Sequence, residues 1–210
     1  LERCVNELGF VGCLLNPDPT EGSEPPPPGL GDPFWHPLYE AMVRLDVPAL
    51  IHSAGSCSPR ESYTLKFINE ESIAVISLLS SDVFRKFPSL KIVVAHAGGA
   101  IPYQMGRFRS WSVRRGETVS FDEQLRQLHF DTCNYSQDAI ELLIKVAGVQ
   151  NVLFGTEKPG TGSARDPLSG RDYDDMKPVI ENIAWLSADD RAAIFECNCR
   201  RLYSRAFKKD

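Results

Sequence analysis

The chain has 210 residues, 42% of them hydrophobic and 24% charged, an ordinary globular composition in a length that can bury a core. Lys plus Arg is 23 and Asp plus Glu is 28, a net charge of −5. That balance supplies no basic stripe for phosphates, which argues against a nucleic-acid partner, and no apolar run reaches the length of a membrane span.

The N-terminus carries no secretory or transit pattern. The six cysteines, at positions 4, 13, 57, 133, 197 and 199, include no Cys-x-x-Cys pair. Cys197 and Cys199 stand about 200° apart around a helix and make a poor chelate. The expectation is a cytoplasmic protein with reduced thiols and no membrane partner. The length reads as a single domain over residues 1–210.

Taken in chain order, Phe10 to Leu15 is an apolar strand candidate ending at Asn16-Pro17. Asp18 to Asp32, with four consecutive prolines from Pro25 to Pro28, reads as an extended surface loop. Phe34, Leu38, Ala41, Met42 and Leu45 share one face of a helix predicted over 33–45. A strand at 48–51 ends at His52-Ser53-Ala54-Gly55. A long amphipathic helix is predicted over 68–87, and a strand over 90–95 ends at His96-Ala97-Gly98-Gly99. Helices follow over 101–115 and 121–127, then a strand over 128–133 and a helix over 136–147. A strand over 151–156 ends at Glu157-Lys158-Pro159-Gly160. Beyond a long loop, a helix is predicted over 175–186. Ser187-Ala188-Asp189-Asp190 is a capping box for a last helix running to about Ala206.

Five buried-type strands alternating with helices define an α/β chain with a parallel sheet. Such a sheet is doubly wound or part of a (β/α)8 TIM barrel. No Gly-x-Gly-x-x-Gly turn follows the first strand, and polar residues recur at the C-terminal ends of several strands. Both features favour the barrel.

His52, His96 and Glu157 each follow an apolar strand run and precede a turn of small residues. In a parallel barrel, three such positions converge at one mouth. Imidazole and carboxylate ligands converging there suit Zn²⁺ or a similar divalent ion. Each has a plainer reading when taken singly: a core histidine with a hydrogen bond, or a Glu paired with Lys158 or an arginine. Their conjunction at three strand ends is what favours a site. His36, before Pro37, reads as surface. In His129-Phe130-Asp131, alternation leaves open which side chains face inward, with Asp131 a candidate partner for a histidine. Gly98-Gly99 offers backbone N–H groups to an anion, against the commoner role of close packing. Arg107, Arg109, Arg114 and Arg115 cluster on one segment, most of them facing solvent. Arg165 and Arg171, on the long loop after Glu157, either bind substrate carboxylates or pair with Asp166, Asp172 or Asp174.

Two stretches carry a family resemblance: Asp32-Pro33-Phe34-Trp35-His36-Pro37-Leu38-Tyr39-Glu40-Ala41 leading to Val47-Pro48-Ala49-Leu50-Ile51-His52, and Phe87-Pro88 leading to Ala95-His96-Ala97-Gly98-Gly99. They are similar to the metal-dependent amidohydrolase superfamily, in the branch that includes aminocarboxymuconate-semialdehyde decarboxylase. The resemblance covers nearly the whole chain. Decarboxylases and hydrolases of that branch carry Asp at the end of the last strand, where this chain has Glu157. That Glu, with Ile101-Pro102-Tyr103, Gly106-Arg107-Phe108-Arg109, Phe130-Asp131-Thr132-Cys133 and Tyr173-Asp174-Asp175, resembles the 4-oxalomesaconate hydratases of bacterial aromatic degradation. The family also carries a His-x-His pair on its first strand, and this chain has none. Five strand–helix units stand where eight close a barrel. The resemblance therefore implies the C-terminal portion of a longer barrel, with two further metal ligands expected from a segment before Leu1.

The implied activity is a metal-dependent hydro-lyase that adds water to an unsaturated di- or tricarboxylate. The resemblance gives His52 and Glu157 to the metal, with Zn²⁺ the first choice, and leaves Glu157 an alternative role as general base. His96 is the general acid/base, and Tyr103, Arg107 and Arg165 hold substrate carboxylates. A decarboxylase or a hydrolase of the same superfamily is the alternative. A rival of a different kind is a truncated, non-catalytic barrel subunit. The open sheet edges point to a homo-oligomer that covers them.

Overall fold

A computed structural model describes residues 1–20, 25–54 and 58–207. Gly55 in the turn after His52, Cys57 and part of the proline-containing loop lie outside the described residues. Five parallel strands form one sheet in sequence order: β1 (Cys13–Leu15), β2 (Ala49–Ile51), β3 (Ile92–Val94), β4 (His129–Asp131) and β5 (Val152–Leu153). Cys13 pairs with Ala49, Ala49 with Ile92, Val93 with His129, and Phe130 with Val152. The paired segments are shorter than the apolar runs. At the end of β5 the Phe154 N–H turns away from the sheet and donates to the Ile194 carbonyl, at 3.0 Å. That carbonyl lies in a π turn, Ala193–Cys197, where the regular helical ladder is interrupted.

Helices separate the strands. α1 (Glu2–Asn6) precedes β1, and α2 (His36–Leu45) follows a 3₁₀ turn opened by Asp32, whose carboxylate accepts from the Phe34 N–H at 2.8 Å. Tyr39, Met42 and Leu45 make its buried stripe. α3 (Tyr63–Leu79) is followed, after a break, by α4 (Val83–Lys86), where one helix over 68–87 is predicted. The hydroxyls of Ser80 and Ser81 donate to the carbonyls of Ile76 (2.6 Å) and Leu78 (2.7 Å). They compete with the ladder and split the helix. α5 (Met105–Arg114), α6 (Phe121–Leu125), α7 (Gln137–Ala147) and α8 (Met176–Glu181) follow. α9 (Ala188–Ala192) runs through the π turn into α10 (Asn198–Leu202). The Ser187 capping box forms as its sequence predicts, the hydroxyl accepting from the Asp190 N–H at 3.1 Å.

The main core lies on the face where Ile51, Ile92, Val94, Phe130 and Val152 meet Val75 and Leu78 of α3, Ile140 and Leu143 of α7, and Ile180 of α8. Alternate strand residues face the other way, where Val93, Leu153 and Leu202 form a smaller cluster. This alternation settles β4: Phe130 is fully buried in the main core, and His129 and Asp131 face the opposite side. Among the described residues no helix is long and apolar enough to cross a membrane.

Candidate active site

Parallel strands in sequence order bring their C-terminal ends to one edge of the sheet. β2 delivers His52 there, β3 His96, β4 Asp131 and β5 Glu157. One ligand atom from each of His52, His96 and Glu157 lies within 4.8 Å of the others. The two imidazole rings are 5.0 Å apart, and His96 Nε2 is 3.5 Å from Glu157 Oε1. Backbone strain marks the same place. His96 (φ 48), Ala97 (φ 56), Tyr135 (φ 64) and Glu157 (φ 58) hold left-handed conformations, and among the described non-glycine residues only Asp46 does so elsewhere. Such residues persist where surrounding structure fixes them, and they concentrate at functional sites.

His52 Nδ1 lies 2.8 Å from the Ser53 carbonyl. A carbonyl only accepts, so Nδ1 donates to it, and Nε2 is the ring's other ligand position. His96 is buried, and its Nδ1 donates to both carboxylate oxygens of Glu71, at 2.8 and 2.9 Å. Burial alone would push this imidazole down. The hydrogen bond and charge of Glu71, joined by Asp131 and Glu157, outweigh it and raise His96 to about 9. Burial pushes the Glu71 carboxyl up, partly offset by His96. The pair leaves His96 a cation through the neutral range, with Nε2–H turned toward Glu157.

Asp131 holds the turn rather than the imidazole. Its Oδ1 accepts from the Ala97 N–H (3.0 Å) and the Cys133 N–H (3.1 Å), fixing the backbone that carries His96. Burial pushes the Cys133 thiol up and keeps it an inert thiol. Glu157 does not pair with Lys158. Its Oε2 accepts from the Tyr135 hydroxyl, and the Lys158 ammonium goes to Asp172 (2.8 Å) and Asp174 (3.1 Å). The Gly98 and Gly99 N–H groups donate to the Ala95 and His96 carbonyls, at 3.0 and 3.1 Å. The turn is satisfied internally and does not present them to an anion.

Sequence reasoning missed two residues that hydrogen-bond to this cluster. Glu71 had a signal: it sits on the α3 stripe with Ala74, Val75, Leu78 and Leu79, three, four, seven and eight residues on. A Glu in a core stripe needs a partner. Tyr135, in the loop after β4, had none.

The three carboxylate-binding candidates fall in separate depressions. Tyr103 is 80% exposed and lines one of about 290 Å³ with Ala97, Gly99 and Asn134. Arg107 lines another of about 640 Å³ with Gln104, Trp111 and Arg114, whose walls include no cluster residue. Arg165 lines a third of about 380 Å³ with Lys158 and Arg171, and its backbone pairs with Asp172. His36 is half-buried against the Phe87 ring at 5.3 Å, not simply at the surface. His129, at the start of β4 and away from the cluster, is pushed down to about 4 by burial.

An arc of parallel strands that gathers two histidines and a glutamate at its C-terminal edge is the architecture of an amidohydrolase-type barrel. The amidohydrolase family matches residues 1–205, and the chain belongs to it. The chain is 45% identical over 206 residues to the 2-keto-4-carboxy-3-hexenedioate hydratase of Sphingobium sp. (strain NBRC 103272 / SYK-6), covering 98% of this chain and 60% of that protein. It is 27% identical to the gamma-resorcylate decarboxylase of Rhizobium sp. (strain MTP-10005), covering 97% of this chain and 64% of the relative. The crystal structure of 4-oxalomesaconate hydratase from Rhodopseudomonas palustris superposes with a TM-score of 0.85 at 39% identity, over 98% of this chain and 59% of that one. A dihydroxybenzoic acid decarboxylase from Polaromonas sp. JS666, with bound manganese, superposes at 0.77 with 25% identity, over 97% and 63%. The chain thus spans about three-fifths of the length of the relatives it matches.

Proposed function

We propose that this chain carries the proton-transfer side of a metal-assisted hydro-lyase, which adds water across the conjugated double bond of an unsaturated di- or tricarboxylate. The observation that carries the reading is His96, whose Nδ1 is hydrogen-bonded to Glu71 and whose Nε2 stands 3.5 Å from Glu157, with the His52 ring 5.0 Å away. The greater similarity to hydratases than to decarboxylases supports it.

Water addition breaks a carbon–carbon π bond and forms one C–O and one C–H bond. The new C–H bond needs a proton donor, which is Nε2–H of His96. The attacking water must lose a proton, to solvent where Glu157 holds the ion, or to Glu157 Oε1 in its alternative role as general base in place of metal ligand. The arrangement also fits a divalent cation. Glu71, Asp131 and Glu157 bring three carboxylates around His96, and one ligand atom from each of His52, His96 and Glu157 lies within 4.8 Å of the others. His52 and Glu157 would hold the ion, which we assign as Zn²⁺ and which supplies Lewis acidity toward water and toward developing negative charge. Arg165, on the segment that follows Glu157, is our first candidate for a substrate carboxylate, with Tyr103 and Arg107 as further ones. The five described cysteines are free thiols, which supports a reducing, cytoplasmic compartment.

The test presents the full chain with an unsaturated tricarboxylate and with a carboxylated aromatic. Loss of conjugated absorbance without CO2 release is expected. Release of CO2 with no water addition would replace the hydratase reading with a decarboxylase.

A further inference from the structure

Glu157 has a neighbour at each carboxylate oxygen. Its two oxygens have different partners: Oε2 accepts from the Tyr135 hydroxyl, and Oε1 stands 3.5 Å from His96 Nε2. A loop then clamps both side chains. A Cβ on Gly160 would lie 3.0 Å from Glu157 Cγ and Cδ, and one on Gly162 would lie 2.6 Å from two ring carbons of Tyr135. Only glycine lets the backbone approach this closely. The loop is itself anchored, because the Asp174 N–H donates to the Gly162 carbonyl at 2.9 Å and the Ser163 hydroxyl donates to the Asp174 carboxylate at 2.5 Å. Tyr135 and Glu157 both hold left-handed backbones, at φ 64 and φ 58. Two strained residues, one hydrogen bond and two glycine contacts converge on the Tyr135–Glu157 pair.

We propose that Tyr135 is a positioning residue that occupies Oε2 of Glu157, so that Glu157 meets a divalent cation or a water molecule through Oε1 alone. This rests on the reading of His52, His96 and Glu157 as the active centre. A carboxylate with both oxygens free can chelate a cation in a bidentate fashion or swing away from it. With one oxygen held by a neutral donor it offers a single, directed lone pair, and its orientation no longer has to be fixed on binding.

The experiment measures Mn²⁺ binding to the metal-free full chain by titration calorimetry for the wild type, Tyr135→Phe and Glu157→Gln. Tyr135→Phe is expected to weaken Kd by about 10- to 100-fold, the usual effect of losing a partner of a metal ligand. The thermal midpoint of the metal-free protein should stay the same. Wild-type affinity in Tyr135→Phe, with Glu157→Gln weakened, overturns the proposal and leaves the active-centre reading standing. Wild-type affinity in Glu157→Gln overturns both. If Tyr135→Phe does not fold, 3-fluorotyrosine at position 135 keeps the ring and hydroxyl. Its ¹⁹F resonance should move on adding Zn²⁺ to the wild-type background and stay fixed in Glu157→Gln. A resonance that ignores Zn²⁺ in the wild-type background also overturns the proposal.

Discussion

Glu71 decides what His96 can do. Its hydrogen bond and charge are the largest influences that oppose burial and raise His96, which makes the ring a cation that can donate a proton. Glu71→Gln keeps the shape and removes the charge. In the metal-free protein, the His96 titration followed by NMR should fall by about 1–3 pH units from its value near 9. An unchanged midpoint would assign the shift to Asp131 and Glu157 instead. The folded value lies above the ordinary histidine value of about 6.5, so the stabilisation is complete below that pH and is lost as pH rises through about 9. Urea midpoints of the metal-free chain should therefore fall between pH 6 and pH 10, and fall less in Glu71→Gln. His52, His96 and Glu157 were legible in the sequence because each ends an apolar run at a small-residue turn. Tyr135 was not, because the left-handed turn that aims it follows no local residue pattern.

At the scale of elements, the sequence placed the five strands and the helices between them, and it misplaced their ends. Apolar runs report burial, whereas pairing stops where a backbone group finds another partner. Phe154 turns to Ile194 of the last helix, a contact 40 residues away in sequence that no local pattern reveals. The 68–87 prediction ran through Ser80 and Ser81 because the apolar spacing continues past them, while their hydroxyls end the helix. α3 matters most, since one face both packs the core and carries Glu71 to His96. Leu78→Ala, at a fully buried position of that stripe, should destabilise by about 2–5 kcal/mol in urea unfolding. Ser187→Ala, which removes only an exposed cap, should destabilise by about 1 kcal/mol. Equal effects would mean that α3 does not organise the core.

At the scale of the molecule, the β5 edge is capped by the last helix, where Asn198 donates to the Val152 carbonyl at 2.9 Å, whereas β1 pairs among the described strands with β2 alone. Beside β1, Phe10 and Leu14 are 54% and 62% exposed and line an apolar depression of about 690 Å³ with Leu50 and Tyr203. A parallel strand with an unpaired edge and apolar neighbours recruits other polypeptide. As a 210-residue chain this protein should sediment as species larger than its 23.4 kDa mass, and Leu14→Lys should reduce the association. A monodisperse wild-type monomer would contradict that. The central claim is that His96 moves the proton at a centre held by His52 and Glu157. Its most direct test is the steady-state hydration rate of full-chain His96→Asn, with metal content measured on the same sample. We expect the metal to be retained and kcat to fall by about 10²–10⁴-fold, the usual contribution of a general acid. Near-native turnover in that variant would contradict the assignment of His96.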